Sequence, residues 1–161
     1  MNHETVFINE KKLIGISVRT NNKNETNQET GKIHSTMMKF YNEAMFSKIK
    51  NHVNSDLVYC VYTDYENDLN GDYTYFIGQE ISSFDNQLEE FQTLKIQSQN
   101  YAEFTSELGQ VPQIIIDVWT KIWKEDLKNR SYKTDFEVYD RSQYHANPEK
   151  YSANIYIGID V

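Results

Sequence analysis

The chain has 161 residues, enough for one domain with a core of ordinary size, and a formal net charge of −8. No Lys/Arg run offers the patch by which nucleic-acid readers displace counterions, and the acidic balance disfavours anionic membranes. With 39% hydrophobic and 25% charged residues, two prolines and six glycines, the composition is globular rather than disordered. A lone cysteine, Cys60, excludes an internal disulfide framework and fits a reducing compartment. With no basic-then-apolar leader and no bilayer-length apolar run, the expected location is the cytoplasm. The twelve tyrosines point to a half-wet cavity or strand surface, because a fully buried phenol needs a hydrogen-bond partner.

Residues 4–19 read as an extended segment carrying Val6, Ile8, Leu13, Ile14, Ile16 and Val18. Residues 21–30 are polar and aperiodic and are predicted to be a loop. Over about 32–50, Ile33, Met37, Phe40, Tyr41, Ala44, Met45 and Ile49 recur at spacings of three and four, an amphipathic helix. Strands are predicted over 57–62 and 73–81, around an acidic loop with a turn signal at Asn70-Gly71. Residues 91–106 are extended. Pro112 suits the first helical position, and Ile115, Ile116, Trp119, Ile122, Trp123 and Leu127 carry a helix to about residue 128. Residues 135–141 and 154–161 are the closing strands. The order is strand, helix, strand, strand, twice over, an α+β class.

The two rounds match in detail. Thr74-Tyr-Phe-Ile-Gly-Gln-Glu-Ile81 aligns with Asn154-Ile-Tyr-Ile-Gly-Ile-Asp-Val161 at an offset of 80. Tyr59-Cys-Val-Tyr62 aligns with Phe136-Glu-Val-Tyr139 at an offset of 77. Matched motifs in the same order, each after a helix, indicate an internal duplication. The expectation is one domain over 1–161 with pseudo-repeats over about 1–84 and 88–161.

Strand alternation assigns faces. Ile155, Ile157, Ile159 and Val161 are expected under the helices; Tyr156, Gly158 and, by the repeat, Phe76 and Gly78 point away. Phe136 and Val138 read as a core pair. That leaves Glu137 and Tyr139, with Cys60 and Tyr62 as first-half counterparts, on the opposite face. A strict two-residue turn at Asn70-Gly71 would set Val61 beside Phe76. The acidic stretch from Asp64 is poor strand material, so a longer loop, with Tyr62 on the side of Phe76, is expected.

Glu137 stands out among Phe136, Val138 and Tyr139. A carboxylate withdrawn from water without a partner costs several kcal/mol or keeps its proton. A site that holds one gains when a cation arrives, and aromatic faces add roughly 0.5 to 2 kcal/mol each. The alternative is an edge strand on which Glu137 faces solvent or a lysine. Tyr62 and Tyr139, mates in the repeat, are candidate walls; Phe76, Tyr156 and Tyr101 are further candidates. Trp119 and Trp123 lie one turn apart and serve either as core packing or as cleft walls.

Tyr59-Cys-Val-Tyr-Thr-Asp64, Trp119-x-x-x-Trp123, Phe136-Glu-Val-Tyr-Asp140 and Ile155-Tyr-Ile-Gly-Ile159 together resemble the GyrI-like family, the effector-binding domain of AraC- and MerR-type regulators. The resemblance runs from the first strand to the last, and its most specific part is the aromatic-Glu-x-Tyr-Asp element. It implies a duplicated strand-helix-strand-strand module, an antiparallel sheet with two main helices, and a ligand cleft between the halves. It also implies that Glu137 lies in that cleft among aromatic rings, with at least one of the two tryptophans edging in.

Other signals fail. The stretch 64–72 loosely follows a calcium loop, but Gly falls eighth rather than sixth and the twelfth residue is Tyr75. His3, His34, His52 and His145 lack metal spacing, so no metal is expected, and no cofactor motif is found. Every residue is taken up by the duplicated domain, so no direct DNA contact is expected. The reading is a stand-alone domain that senses or sequesters a small, cationic or amphipathic organic ligand, with a protein partner left open. The alternatives are a hydrolase of reactive, toxic small molecules using Glu137, and a protein inhibitor of a topoisomerase-like enzyme.

Overall fold

The computed structural model describes residues 3–68 and 70–161. Strands β1 (Glu4–Ile8) and β2 (Lys11–Asn21) divide the segment read as one extended piece, with Asn9 and Glu10 turning between them. The residues read as a loop hold a short helix, α1 (Asn22–Glu25), because the Asn21 side chain accepts from the Asn24 amide and caps it. The following helical stretch is two pieces, α2 (Ile33–Asn42) and α3 (Met45–Lys48). Ala44 between them takes a left-handed φ of 48°, which stops the first helix and redirects the chain.

Strands β3 (Leu57–Thr63) and β4 (Asp72–Glu80) come next, then β5 (Gln92–Ile96) and β6 (Gln99–Thr105). Helix α4 (Gln113–Glu125) starts one residue after Pro112, which occupies the cap. Strand β7 (Arg130–Asp140) begins five residues earlier than predicted. A short helix α5 (Arg141–Ala146) and a 3-10 turn (Pro148–Lys150) lead to β8 (Asn154–Ile159). Asp140 ends β7 and caps α5, accepting from the amides of Ser142 and Gln143. Among the described residues no helix is long and apolar enough to cross a membrane.

All eight strands form one antiparallel sheet in the order β1-β6-β8-β7-β3-β4-β2-β5. The order is symmetric under exchange of β2, β3, β4 and β5 with β6, β7, β8 and β1, as a duplicated unit would produce. Strands β5 and β6 are consecutive in the chain yet lie near opposite ends of the sheet. Ile96 and Gln99 are three residues apart, hence separated by at most about 11 Å, so the sheet must curl back on itself. Leu13, Tyr59, Val61, Phe76, Ile96, Tyr101 and Phe136 fill the inside of that curl.

The helices cover the outside. Phe40, Met45 and Ile49 pack over Ile14, Val58, Tyr75 and Ile77 in the first half. Ile114, Ile115, Val118 and Ile122 pack over Ala102, Phe104, Ile155, Ile157 and Ile159 in the second. Each such side chain contributes about 1.5–3 kcal/mol of burial, so the two helical covers hold the curled sheet from outside.

Register corrects the expected faces. The loop after β3 is longer than two residues, closing at the pair Thr63–Thr74, yet Val61 is still opposite Phe76 and Tyr62 opposite Tyr75. Across the sheet, Phe136 is opposite Tyr156 and Glu137 opposite Ile155. Glu137, Tyr139, Cys60 and Tyr62 therefore face the helices, while Phe76, Tyr156 and Tyr101 point into the curl.

Candidate ligand-binding site

The centre of the sheet is the pairing of β3 with β7, where Cys60 lies directly opposite Glu137. These two are also partners at the offset of 77, so the approximate symmetry axis runs between them. Tyr62 and Tyr139 stand two residues further along on either side. Neither α2 nor α4 fully covers this central strip, and a cavity of about 900 Å³ opens above it. Cys60, Tyr62, Glu137 and Tyr139 form its floor. Met37, Met38 and Tyr41 from α2 face Ile115, Ile116, Trp119 and Trp123 from α4 across it, with Tyr65, Tyr73 and Tyr144 at the ends.

Glu137 is 3% exposed. Its Oε2 accepts from Trp119 Nε1 at 2.7 Å and from the Tyr62 hydroxyl at 2.9 Å. Its Oε1 accepts from the Tyr139 hydroxyl at 2.6 Å. Burial pushes its pKa above the ordinary carboxylate range, and the hydrogen bonds from Tyr139, Trp119 and Tyr62 pull the other way. Burial first, and the charge of Glu137 next, push the Tyr62 and Tyr139 hydroxyls well up, so both stay protonated donors. Among the described residues no cation is paired with Glu137. The result is a carboxyl group held by three neutral donors at the base of an aromatic chamber.

The Cys60 thiol is pushed far up by burial and by Glu137, and it accepts from the Tyr75 hydroxyl at 3.4 Å. It is a protonated thiol and a poor nucleophile. Edge-on contacts of the Tyr62 ring with Trp119 and Tyr75, both at 5.5 Å, and with Tyr73 at 5.9 Å fix its orientation. This set leaves π-faces and edges around the carboxylate, a surrounding suited to a cation.

Of the residues singled out from sequence, Glu137, Tyr62, Tyr139 and Trp119 meet in one hydrogen-bonded group. Trp123 lies beside Trp119, ring centres 6.0 Å apart, but is 53% exposed and belongs to the rim of the cavity. Phe76, Tyr156 and Tyr101 do not join them. Tyr156 stacks on Phe136 at 4.7 Å and Tyr101 meets the same ring edge-on at 5.1 Å, inside the curl. Side chains alternate across a strand, so the register that sends Glu137 outward sends these rings inward.

Several lining residues were missed. Met37 and Tyr41 lie on a stripe legible only as core, and Tyr65 sits in a loop dismissed as solvated. Arg130 lies outside the predicted strand. It pairs with Asp135 at 2.7 Å, and Asp135, fully buried, also accepts from the Gly158 amide at 2.9 Å and from the Tyr65 hydroxyl. Two charges five residues apart, one of them between the predicted helix and the predicted strand, carried no sequence signal of their contact.

The model of the family described as Cass2, integron-associated effector binding protein, matches residues 5–159. The putative transcriptional regulator protein YobU of Bacillus subtilis (strain 168) is 28% identical over 151 residues, 92% of either chain. An integron cassette protein from the mobile metagenome of Vibrio cholerae has a TM-score of 0.78 at 28% identity, covering 98% of this chain and 95% of that one. SAV2435, solved bound to tetraphenylphosphonium, shares the fold with a TM-score of 0.77 at 16% identity, covering 99% of this chain and 94% of that one. With a GyrI-like fold and a family match over nearly its whole length, this chain belongs to the Cass2 family of integron-associated effector binding proteins.

Proposed function

We propose that the protein binds a lipophilic organic cation in the cavity over Glu137 and acts by sensing or sequestering it, in the cytoplasm. The observation that carries this reading is the buried carboxylate with three neutral donors and no cation of its own. Glu137 is withdrawn from bulk water, so a cation entering the chamber is screened less than one at the surface. Aromatic and methionine walls then bury the apolar part of the guest. The tetraphenylphosphonium bound to SAV2435, a protein of the same fold, has this chemistry.

Titration of the protein with tetraphenylphosphonium is the direct test, followed by tryptophan fluorescence because Trp119 touches Glu137. Saturable quenching is expected, with a melting temperature raised by about 5–10 °C at 100-fold excess over the dissociation constant. No binding up to about 1 mM, an affinity of only ~4 kcal/mol, would overturn the reading. Release of product from an electrophilic ester, seen by mass spectrometry and lost in Glu137→Gln, would favour a hydrolase instead.

The pH dependence has a defined sign. Protonation of Glu137 removes the countercharge, so affinity falls as pH drops through its raised pKa. Tyr139→Phe removes one hydrogen bond that holds that pKa down. Its binding midpoint is expected at higher pH than the wild type's, as read from affinities measured across the acidic to neutral range. A midpoint that stays in place would show that the Tyr139 hydroxyl does not stabilise the carboxylate.

A further inference from the structure

Asp135 and Glu137 are alternate residues of β7 and so share its outward face, about 7 Å apart along the strand. The Arg130 guanidinium paired with Asp135 therefore lines the same cavity one side-chain step from the anionic floor. Its side chain is only 7% exposed. Rings of Tyr132, Trp119 and Tyr65 surround it, the guanidinium carbon standing 4.5, 5.9 and 6.0 Å from their centres. Nη2 is spent on Asp135, while the Nε hydrogen is buried and has no hydrogen-bond partner among the described residues. A buried donor left unmade is costly, and because the Arg130 side chain lines the cavity, a small turn of its guanidinium would present this donor to a guest oxygen. The charge of Arg130 is already offset by Asp135, so the complement is a neutral acceptor rather than a second anion.

We propose that the Arg130 edge is a second polar subsite and that the ligand is bipolar, a cation over Glu137 carrying a carbonyl-type oxygen on its flank toward Arg130. The Trp119 indole joins the two subsites, donating to Glu137 on one side and facing Arg130 on the other. This inference rests on the cation-binding reading above and narrows its ligand class.

A matched pair of phosphonium ions tests it: (4-benzoylbenzyl)triphenylphosphonium and (4-benzylbenzyl)triphenylphosphonium, which differ by a ketone in place of a methylene. The wild type is expected to bind the ketone at least about tenfold more tightly, the low end for a hydrogen bond to a charged group. In Arg130→Lys the ammonium stays with Asp135 and the planar fork is gone, so the ratio of the two affinities should fall to within about twofold. If that variant does not fold, Arg130→Met combined with Asp135→Asn removes the pair together and should give the same ratio. Equal binding of the two ions by the wild type, or a ketone preference that survives the Arg130 substitutions, overturns the bipolar ligand and leaves the cation site standing. Failure of both ions and of tetraphenylphosphonium to bind overturns the two together.

Discussion

Glu137→Gln is expected to weaken tetraphenylphosphonium binding at least about thirty-fold while leaving the unliganded protein folded and, at neutral pH, more stable than the wild type. The first effect follows from taking the charge from one side of a desolvated ion pair, which costs about 2 kcal/mol or more. The second follows from the same burial. A carboxylate out of water is penalised, and three hydrogen bonds return only part of that penalty. An amide of the same shape carries no such penalty. The Tyr139 hydroxyl, which meets the other oxygen, can turn to accept from the new N–H, while Trp119 and Tyr62 keep their shared oxygen to donate to.

Because the folded-state pKa of Glu137 is raised, the native protein holds more protons than the unfolded chain between about pH 4.3 and that raised value. Wild-type stability from this group therefore falls as pH rises through that window, and the glutamine variant does not follow. Thermal melts from pH 4 to 8 should show the variant's advantage appearing as pH rises. Equal affinity for the cation in the two proteins would refute the role given to Glu137, and an advantage that shrinks toward neutrality would refute its burial as an anion.

Gly78→Ala is expected to lower stability by about 3 kcal/mol or more, a melting temperature about 10 °C lower. Gly78 faces Gly15 across the β2–β4 pairing. A Cβ on Gly78 would lie 2.1 Å from the Ile14 carbonyl oxygen, and one on Gly15 would lie 2.0 Å from the Ile77 oxygen. Backbone cannot yield there without parting two strands that carry Ile14, Tyr75 and Ile77 of the first core. Gly31→Ala is the control, since its nearest neighbour is 3.2 Å away in a loop and only a small change is expected. Equal melting temperatures for the two variants would show that the close strand approach is not required.

The glycine also shows how far sequence reading reached. Gly78 and Gly158 were visible as matched positions in the repeat, but nothing in the string placed Gly15 opposite Gly78. Helices α2 and α4 were legible because their apolar stripes repeat with the helical period over two turns or more. The break at Ala44 was not, since a left-handed alanine has no residue-type signature. Glu137 was legible because a carboxylate among Phe136, Val138 and Tyr139 is chemically out of place. Arg130 was not, because its significance comes from Asp135, across an irregularity in the same strand, and from Trp119 on α4.

Composition, periodicity and the repeat determined the class of the fold and the strand–helix order, and singled out Glu137 as a carboxylate among apolar neighbours. Local chemistry suffices for these, since each depends on side chains a few positions apart. The tertiary structure alone decided which ring sits on which side of the sheet. A one-residue change of register reverses every side chain, and register is chosen by the whole curled sheet closing around Phe136 rather than by any one strand. That choice put Tyr62, Tyr139 and Trp119 around Glu137 and sealed Phe76, Tyr101 and Tyr156 on the far side.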